Sequence, residues 1–478
     1  VTATENRKAL LASVLFAGAL VALLLFLTPP ETHVEGRTLS LGWTLPLLGL
    51  LVSIAILPLA TPHFWHHHYG KVAAFWALLL LAPFALVEGP AQVAGEVVQA
   101  AALEYIPFVI LLFSLFTVSG GLLVRGALKG SPEVNVALLA IGALLASLIG
   151  TTGASMVLIR PLIRANDDRR RNVHIVVFFI FIVSNVGGSL TPLGDPPLFL
   201  GFLQGVSFFW TTTHLWRETA LVLVLLLGIF YLLDRWLYLR EERPAPVDPT
   251  PAAPLGIEGL ANIPLLVGVV AAILMSGIWN PAVHVDLYGA HVPLQAILRD
   301  AIMVALALVS LKITPWSLRE RNGFDWEPIR EVAKLFAAIF VTLIPALLIL
   351  KAGNEGAAAP LIALVSDEAG APAPAAYFWA TGLLSAVLDN APTYLVFFNL
   401  AGGDAGLLMT ERADALAAIS AGAVFMGALT YVGNAPNFMV LAIARNRGLA
   451  MPSFFGYMAW SCGILLPCFA LVTWLFFV

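Results

Sequence analysis

Charge is what this sequence has least of. Only 11% of its 478 residues are Asp, Glu, Lys or Arg, while 60% are hydrophobic; an average soluble domain carries about 25% charged residues. A water-soluble fold of this length could not hide so much apolar surface, so the bilayer must be its solvent. The net charge of −4 offers no basic face for nucleic acid. Cysteine is nearly absent. Cys462 and Cys468 share one apolar run, where a helix would turn them to different sides and hold them too far apart to bridge. There is no disulfide framework and no zinc-ligand spacing. Also missing are His-Glu-x-x-His, Gly-x-Ser-x-Gly and a Ser/Lys pair at membrane depth, any of which would support an enzyme such as an intramembrane protease. No enzyme activity is expected, and no cofactor beyond a sodium ion as cargo or coupling ion.

What the sequence has is long apolar runs. Eleven read as membrane spans: Ala9–Leu27, Leu41–Ala60, Val72–Val87, Glu96–Leu122, Val173–Leu203, Thr219–Leu239, Gly259–Trp279, Leu294–Thr314, Ile329–Lys351, Asp414–Ala444 and Phe455–Val478. The first follows Arg7 and Lys8 but has no small-residue cleavage site after Leu27, so a retained span is expected rather than a cleaved signal. Two further segments are interrupted. Val134–Ile163 is broken at Gly150-Thr151-Thr152-Gly153, and Ala375–Leu400 at Asp389-Asn390-Ala391-Pro392-Thr393. Their arms, roughly ten to fifteen residues each, are too short to cross at 1.5 Å per residue. Each reads as a re-entrant hairpin that enters to mid-membrane and leaves on the same side. His66, His67, His68 and Tyr69 read as an interfacial loop beside Trp65 rather than a metal site, since no carboxylate or Cys is near in sequence.

Charge tests this count. With a cytoplasmic N-terminus and each hairpin returned to its own side, nineteen of the 25 basic residues fall inside and four outside, while Arg160 and Arg299 lie within apolar segments. That asymmetry obeys the positive-inside rule, and counting either hairpin as a full crossing spoils it. Arg160 is expected to snorkel toward the cytoplasmic face, and Glu104, nearer the interface, is read as structural.

The two halves repeat. Superimposing the hairpin tips gives an offset of 239 residues, which puts Gly150 on Asp389 and Thr151 on Asn390. The same offset puts Gly188-Ser189-Leu190-Thr191 on Gly427-Ala428-Leu429-Thr430 and Gly194-Asp195-Pro196-Pro197 on Gly433-Asn434-Ala435-Pro436. By the topology above, the matching spans run in opposite directions. Inverted repeats with interrupted helices mark secondary transporters with the site near the midplane. The expected organisation is N-terminal scaffold helices over 1–95, a first repeat over 96–239, a cytoplasmic linker over 240–258, further scaffold helices over 259–328 and a second repeat over 329–478.

At membrane depth a broken backbone must have its polar groups satisfied. Gly194 and Gly433 permit the unwinding, and Pro196, Pro197 and Pro436 stop a helix from running through. Free carbonyls would then join the hydroxyls and amides of Thr151, Thr152, Ser155, Asn185, Ser189, Thr191, Asn390, Thr393, Thr430 and Asn434, beside Gly150, in binding a cation or a small substrate. Two acids, Asp195 and Asp389, lie at the breaks. An intramembrane acid is a functional candidate by default, although each could instead cap the half-helix that follows it. One carboxylate holding either Na⁺ or H⁺ would give exchange by competition. An unperturbed Asp titrates near 3.9, and burial disfavours its charged form.

Ser184-Asn185-Val186-Gly187-Gly188 followed by Gly194-Asp195-Pro196-Pro197, together with Asp389-Asn390-Ala391-Pro392, resembles motifs of the ion transporter superfamily. Its citrate-transporter-like, arsenite-permease and NhaD-type sodium/proton antiporter branches are the nearest in pattern, and the likeness spans nearly the whole chain. It implies an all-α membrane protein of scaffold and transport domains, assembled as a homodimer in lipid, in a bacterial inner membrane, moving small ions or small anions by an elevator-type mechanism. The tips depart from the Ser-Asn-Thr of carboxylate symporters, and the first tip lacks the Asp-Asn of the antiporters. Sodium/proton exchange at Asp389 and Asp195 is the expected function. The alternatives are cation-coupled di- or tricarboxylate uptake and arsenite-type anion efflux.

The topology makes a direct prediction. With Cys462 and Cys468 replaced, single cysteines near positions 132 and 168 should be labelled from the same, cytoplasmic side. Labelling from opposite sides would rule out the hairpin reading.

Overall fold

The computed structural model describes residues 33–126, 128–241, 256–367 and 370–478. The apolar run Ala9–Leu27, and most of the 240–258 linker, lie outside the described residues. Among those described, seven helices are long and apolar enough to cross a membrane, and three shorter apolar helices accompany them. Six of the eleven expected spans are among these seven, and the seventh is the first hairpin arm, Pro132–Ile149. Of the other five, Ala9–Leu27 lies outside the described residues, two are unwound midway, Asn262–Ile278 is only 17 residues long, and Leu294–Ile313 carries Arg299 and Asp300. The fold is an all-α polytopic membrane architecture, with two small sheets outside the helices.

In chain order, α1 (Leu45–Ala60) and α2 (Pro62–Glu88) form an antiparallel pair, followed by α3 (Pro90–Ser119). Pro107 has no N–H to donate, and the turn before it, Ala101–Tyr105, widens to a π-type turn. The first hairpin is α4 (Pro132–Ile149) and α5 (Thr151–Ala165), packed on each other and joined at Gly150. The first interrupted span follows as α6 (Val173–Ile182), a short 3₁₀ turn and α7 (Pro196–Leu203), leading into α8 (Trp210–Arg240). Next come α9 (Asn262–Ile278), a β-hairpin of β3 (His284–Leu287) and β4 (Ala290–Pro293), and α10 (Leu294–Ile313). An earlier strand pair, β1 (Leu123–Arg125) with β2 (Gly256–Glu258), joins the segments after α3 and before α9. The chain continues through α11 (Trp316–Arg321), α12 (Glu327–Lys351) and α13 (Ala359–Leu364). The second hairpin is α14 (Pro374–Val387) and α15 (Asn390–Leu400). After the short α16 (Ala405–Met409), the second interrupted span is α17 (Ala413–Met426), a 3₁₀ turn and α18 (Ala435–Asn446), and the chain finishes in α19 (Phe454–Val472).

Burial sorts these elements. In α6 every residue from His174 to Ile182 is buried, and in α17 every residue from Ala415 to Met426. A helix apolar all round belongs at the centre of a bundle. By contrast α2 and α8 expose Leu78, Leu86, Leu232 and Leu239 on their outer faces. The interrupted spans are therefore the core, and the unbroken helices wrap them.

Two expectations are corrected. The first hairpin arm is not short: Ser131 caps it by accepting from Val134 N, Pro132 starts it early, and its 18 residues reach about 27 Å. Arm length therefore cannot by itself make that hairpin re-entrant. His66, His67, His68 and Tyr69 lie not in a loop but inside α2, where Trp65 and Tyr69 donate to Glu331 and Glu327 of α12. Among the described residues no three His, Cys, Asp or Glu gather into a metal cluster.

The 239-residue offset reappears in the coordinates. The second hairpin arms start at residues 151 and 390, and the half-helices after the breaks at 196 and 435; each difference is 239. Thr191 Oγ1 donates to Ser147 O and Thr430 Oγ1 to Ala386 O, the same bond at equivalent positions. Leu193 N and Val432 N donate back to those threonines at 3.2 and 3.1 Å. Gly194 packs on the Gly188 carbonyl and Gly433 on the Gly427 carbonyl, so closely that an added Cβ would lie 2.0 and 2.6 Å from the oxygen.

That contact predicts a stability difference. Gly194→Ala should destabilise the purified protein by about 2 kcal/mol or more, because neither backbone can yield cheaply. Gly228→Ala on α8, where a Cβ meets nothing within 4 Å, should be neutral or mildly stabilising. Thermal unfolding in one detergent compares them, and equal melting temperatures would refute the close-packing argument.

Candidate functional site

Four breaks in the chain converge. Gly150 turns the first tip at φ +82, a conformation that favours glycine, and Thr151 N then donates to Gly194 O at 2.8 Å, tying the tip to the first break. Asp389 turns the second tip, and its Oδ1 accepts from Ala391 N at 3.0 Å as a helix cap. At the first break Asp195 occupies the same N-terminal position on α7 but makes no capping bond. The two acids thus divide the two roles that the sequence left open: Asp389 caps, and Asp195 is left for other partners.

Those partners come from three other segments. Thr151 Oγ1 donates to Asp195 Oδ1 at 3.0 Å, and Asn434 Nδ2 to the same oxygen at 2.9 Å. Asn390 Nδ2 donates to Asp195 Oδ2. The first tip, the second tip and the second break therefore meet on one carboxyl that is 1% exposed. A buried carboxyl needs such donors, each bond to a charged group contributing about 1.5–3 kcal/mol. Because the Asn390 amide nitrogen must face the carboxylate, its Oδ1 points elsewhere, and that buried oxygen has no partner.

Asp195, Asp389, Asn390, Asn434, Gly150, Thr151, Thr152 and Gly194 all border one cavity of about 70 Å³. Its opposite wall is apolar, formed by Leu111 and Leu115 of α3 and Ile329 and Phe336 of α12, and no Lys, Arg or His lines it. Asn185 stands behind this layer. It donates to Ile180 O and to Asn437 Oδ1, both at 2.8 Å, and accepts from Asn434. Ser155 pairs with Ser184, Ser189 with Thr219, and Thr393 donates to Asp389 O. Thr191, Thr430 and Gly433 hold backbone and do not border the cavity.

Sequence reasoning missed Asn437, which is fully buried and donates to Gly427 O and Thr430 O at 2.9 and 3.0 Å. Its signal was present: an amide just past Pro436 inside an apolar helix. Arg160 reaches the loop after α11, donating to the Gly323 carbonyl at 3.4 Å, and keeps one buried nitrogen without a partner. Glu104 accepts from Gln204 at 3.0 Å, away from the cavity.

A comparison with curated proteins finds no match. A family model covers nearly the whole chain, and with the membrane helices it settles the general class. The chain belongs to the family described as “Putative citrate transport”, whose model matches residues 36–477, and it is a polytopic membrane transporter.

Proposed function

We propose that the chain exchanges sodium for protons by alternating access, with Asp195 as the shared binding group and Asp389 beside it. The observation that carries this reading is a cavity bordered by two carboxyls and no basic side chain. Two carboxylates without a counter-ion attract a cation and repel a free anion. The cavity volume suits a partly hydrated ion, since one water needs about 10–15 Å³ of such space.

Asn390 supplies the competition. With Asp195 ionised, its amide nitrogen faces the carboxylate and its Oδ1 is free to join the carboxyl oxygens around a cation. With Asp195 protonated, the new O–H needs an acceptor. A flip of Asn390 provides it, and that oxygen is then lost to the cation. Sodium and proton thus compete for one acid and for the amide beside it. The smooth apolar wall of α3 and α12 supports an elevator motion in which hairpins and broken spans slide against it. In the expected topology Pro328 and Ile329 lie toward the cytoplasm, so this cavity would be the inward-facing state.

The family description favours a second reading, cation-coupled uptake of a citrate-like carboxylate. In that case sodium bound at Asp195 and Asp389 would supply the positive charge the cavity lacks, and the anion would follow.

Two predictions separate these readings from a structural role. Asp195→Asn should fold, because a flipped Asn390 can accept from the new amide, yet it should abolish sodium-driven proton movement in proteoliposomes. Asp389→Asn keeps the helix cap, since Asn caps about as well as Asp, and should only weaken apparent sodium affinity, by about tenfold. Normal exchange in Asp195→Asn at matched protein amount and thermal stability would overturn the assignment. Citrate uptake driven by sodium, with no proton exchange in the unmodified protein, would select the second reading.

Asn390→Ala removes both the donor and the free oxygen. The sodium concentration for half-maximal transport should rise at least about tenfold, and its dependence on pH should flatten. An unchanged half-saturation would mean that Asn390 only supports the fold.

A further inference from the structure

A second and much larger cavity, about 640 Å³, lies away from the carboxyls. It is bounded by the middle of α3, by the end of α7 and the segment from α7 to α8, by the end of α9, by β4 and by the start of α10. Phe202, Phe208 and Phe209 supply aromatic wall, and Gln295 and Arg299 supply polar groups. These two are four residues apart on α10 and so share a helix face. Arg299 is 3% exposed. Its Nε donates to Asp300 Oδ1 at 2.8 Å, while Nη2 is buried with no partner. Gln295 Oε1 is likewise buried and unpartnered.

An orphan donor and an orphan acceptor on two residues that border one cavity call for a ligand with the opposite pair. Leaving either group unmet costs about 1–3 kcal/mol. We propose that this cavity binds an organic anion that also carries a hydroxyl, its anionic oxygen accepting from Arg299 and its hydroxyl donating to Gln295. The Asp300 pair keeps the guanidinium from being a naked buried charge and leaves the Nη2 edge for the ligand. The volume lies within the range of small-molecule sites, about 300–1,000 Å³. The same chemistry is offered by a soluble hydroxycarboxylate and by a hydroxylated anionic phospholipid headgroup. The occupant would bridge the α7–α8 segment to α9 and α10. The proposal does not depend on cation exchange at Asp195.

The test uses the full chain in nanodiscs of neutral phosphatidylcholine. In the first arm, calorimetric titration should show citrate binding about fivefold more tightly than tricarballylate, the same tricarboxylate without the hydroxyl. In the second arm, native mass spectrometry should show phosphatidylglycerol retained over phosphatidylcholine if the source is lipid. Binding in either arm should weaken at least about tenfold in Gln295→Glu, which sets a carboxylate against the anion, and in Arg299→Gln. Asp195→Asn should leave it unchanged. Binding of neither probe would overturn the proposal, as would binding indifferent to both α10 substitutions. Citrate binding lost in Asp195→Asn but kept in Gln295→Glu would place the anion in the central cavity and overturn it as well.

Discussion

Asp195 holds four breaks in the chain together. A backbone that leaves the helix inside a membrane must find partners within the protein. Here the first tip reaches the first break through Thr151 N and Gly194 O, and the carboxyl gathers Thr151, Asn390 and Asn434. Behind that layer Asn185 and Asn437 stitch one interrupted span to the other. Asn437 donates to two backbone carbonyls at the second break, and Asn185 and Asn434 each donate to one carbonyl of the first interrupted span and to side chains besides, so the polar centre is a small set of multivalent residues inside an apolar bundle. Networks of this kind are costly when half-satisfied, which makes the few orphan atoms in it, Asn390 Oδ1 above all, the informative ones.

The repeat explains the scaffold of this centre and also where it departs from symmetry. Thr191 and Thr430 make the same bond, and Gly194 and Gly433 the same close approach. The chemistry differs where the acids sit. The first half has a glycine tip and an acidic break; the second has an acidic tip and an amide at the break. Asn434 sits where a symmetric duplication would put a second Asp, and its Nδ2 donates to Asp195 at 2.9 Å. A carboxylate there would face Asp195 across a hydrogen-bond distance, and two like charges that close cannot both ionise easily. The asymmetry lets one acid be held by three donors while the other is drawn off to cap α15.

Much of this was legible in the sequence because it is periodic or punctuated. Gly150, Asp195-Pro196-Pro197 and Asp389-Asn390 mark where helices stop, and the 239-residue offset follows from those marks. Helix starts were less legible. Ser131-Pro132 lengthens the first arm, and α2 begins at Pro62 rather than Val72, so His66 to His68 lie on helix. Composition did not show this, since polar and aromatic residues at a membrane edge suit helix and loop alike. The division of labour between the two acids was not legible at all. Both precede half-helices, and only the direction of each side chain shows that Asp389 bonds Ala391 N while Asp195 turns to the other three segments.

Under the proposed sodium/proton exchange, that division lets a single acid serve two cargoes. A carboxyl fixed as a helix cap is held by a backbone N–H whether or not a cation is present, so its partner cannot respond to protonation. Asp195 is held by side chains, and one of them, Asn390, has a donor and an acceptor that exchange places on a half-turn. The carboxyl and the amide can therefore adopt two hydrogen-bonded arrangements without moving any backbone. One leaves an oxygen for a cation and the other does not. Under that proposal, coupling of proton to cation needs no long-range signal, because the alternative partner for each state lies on the adjacent side chain.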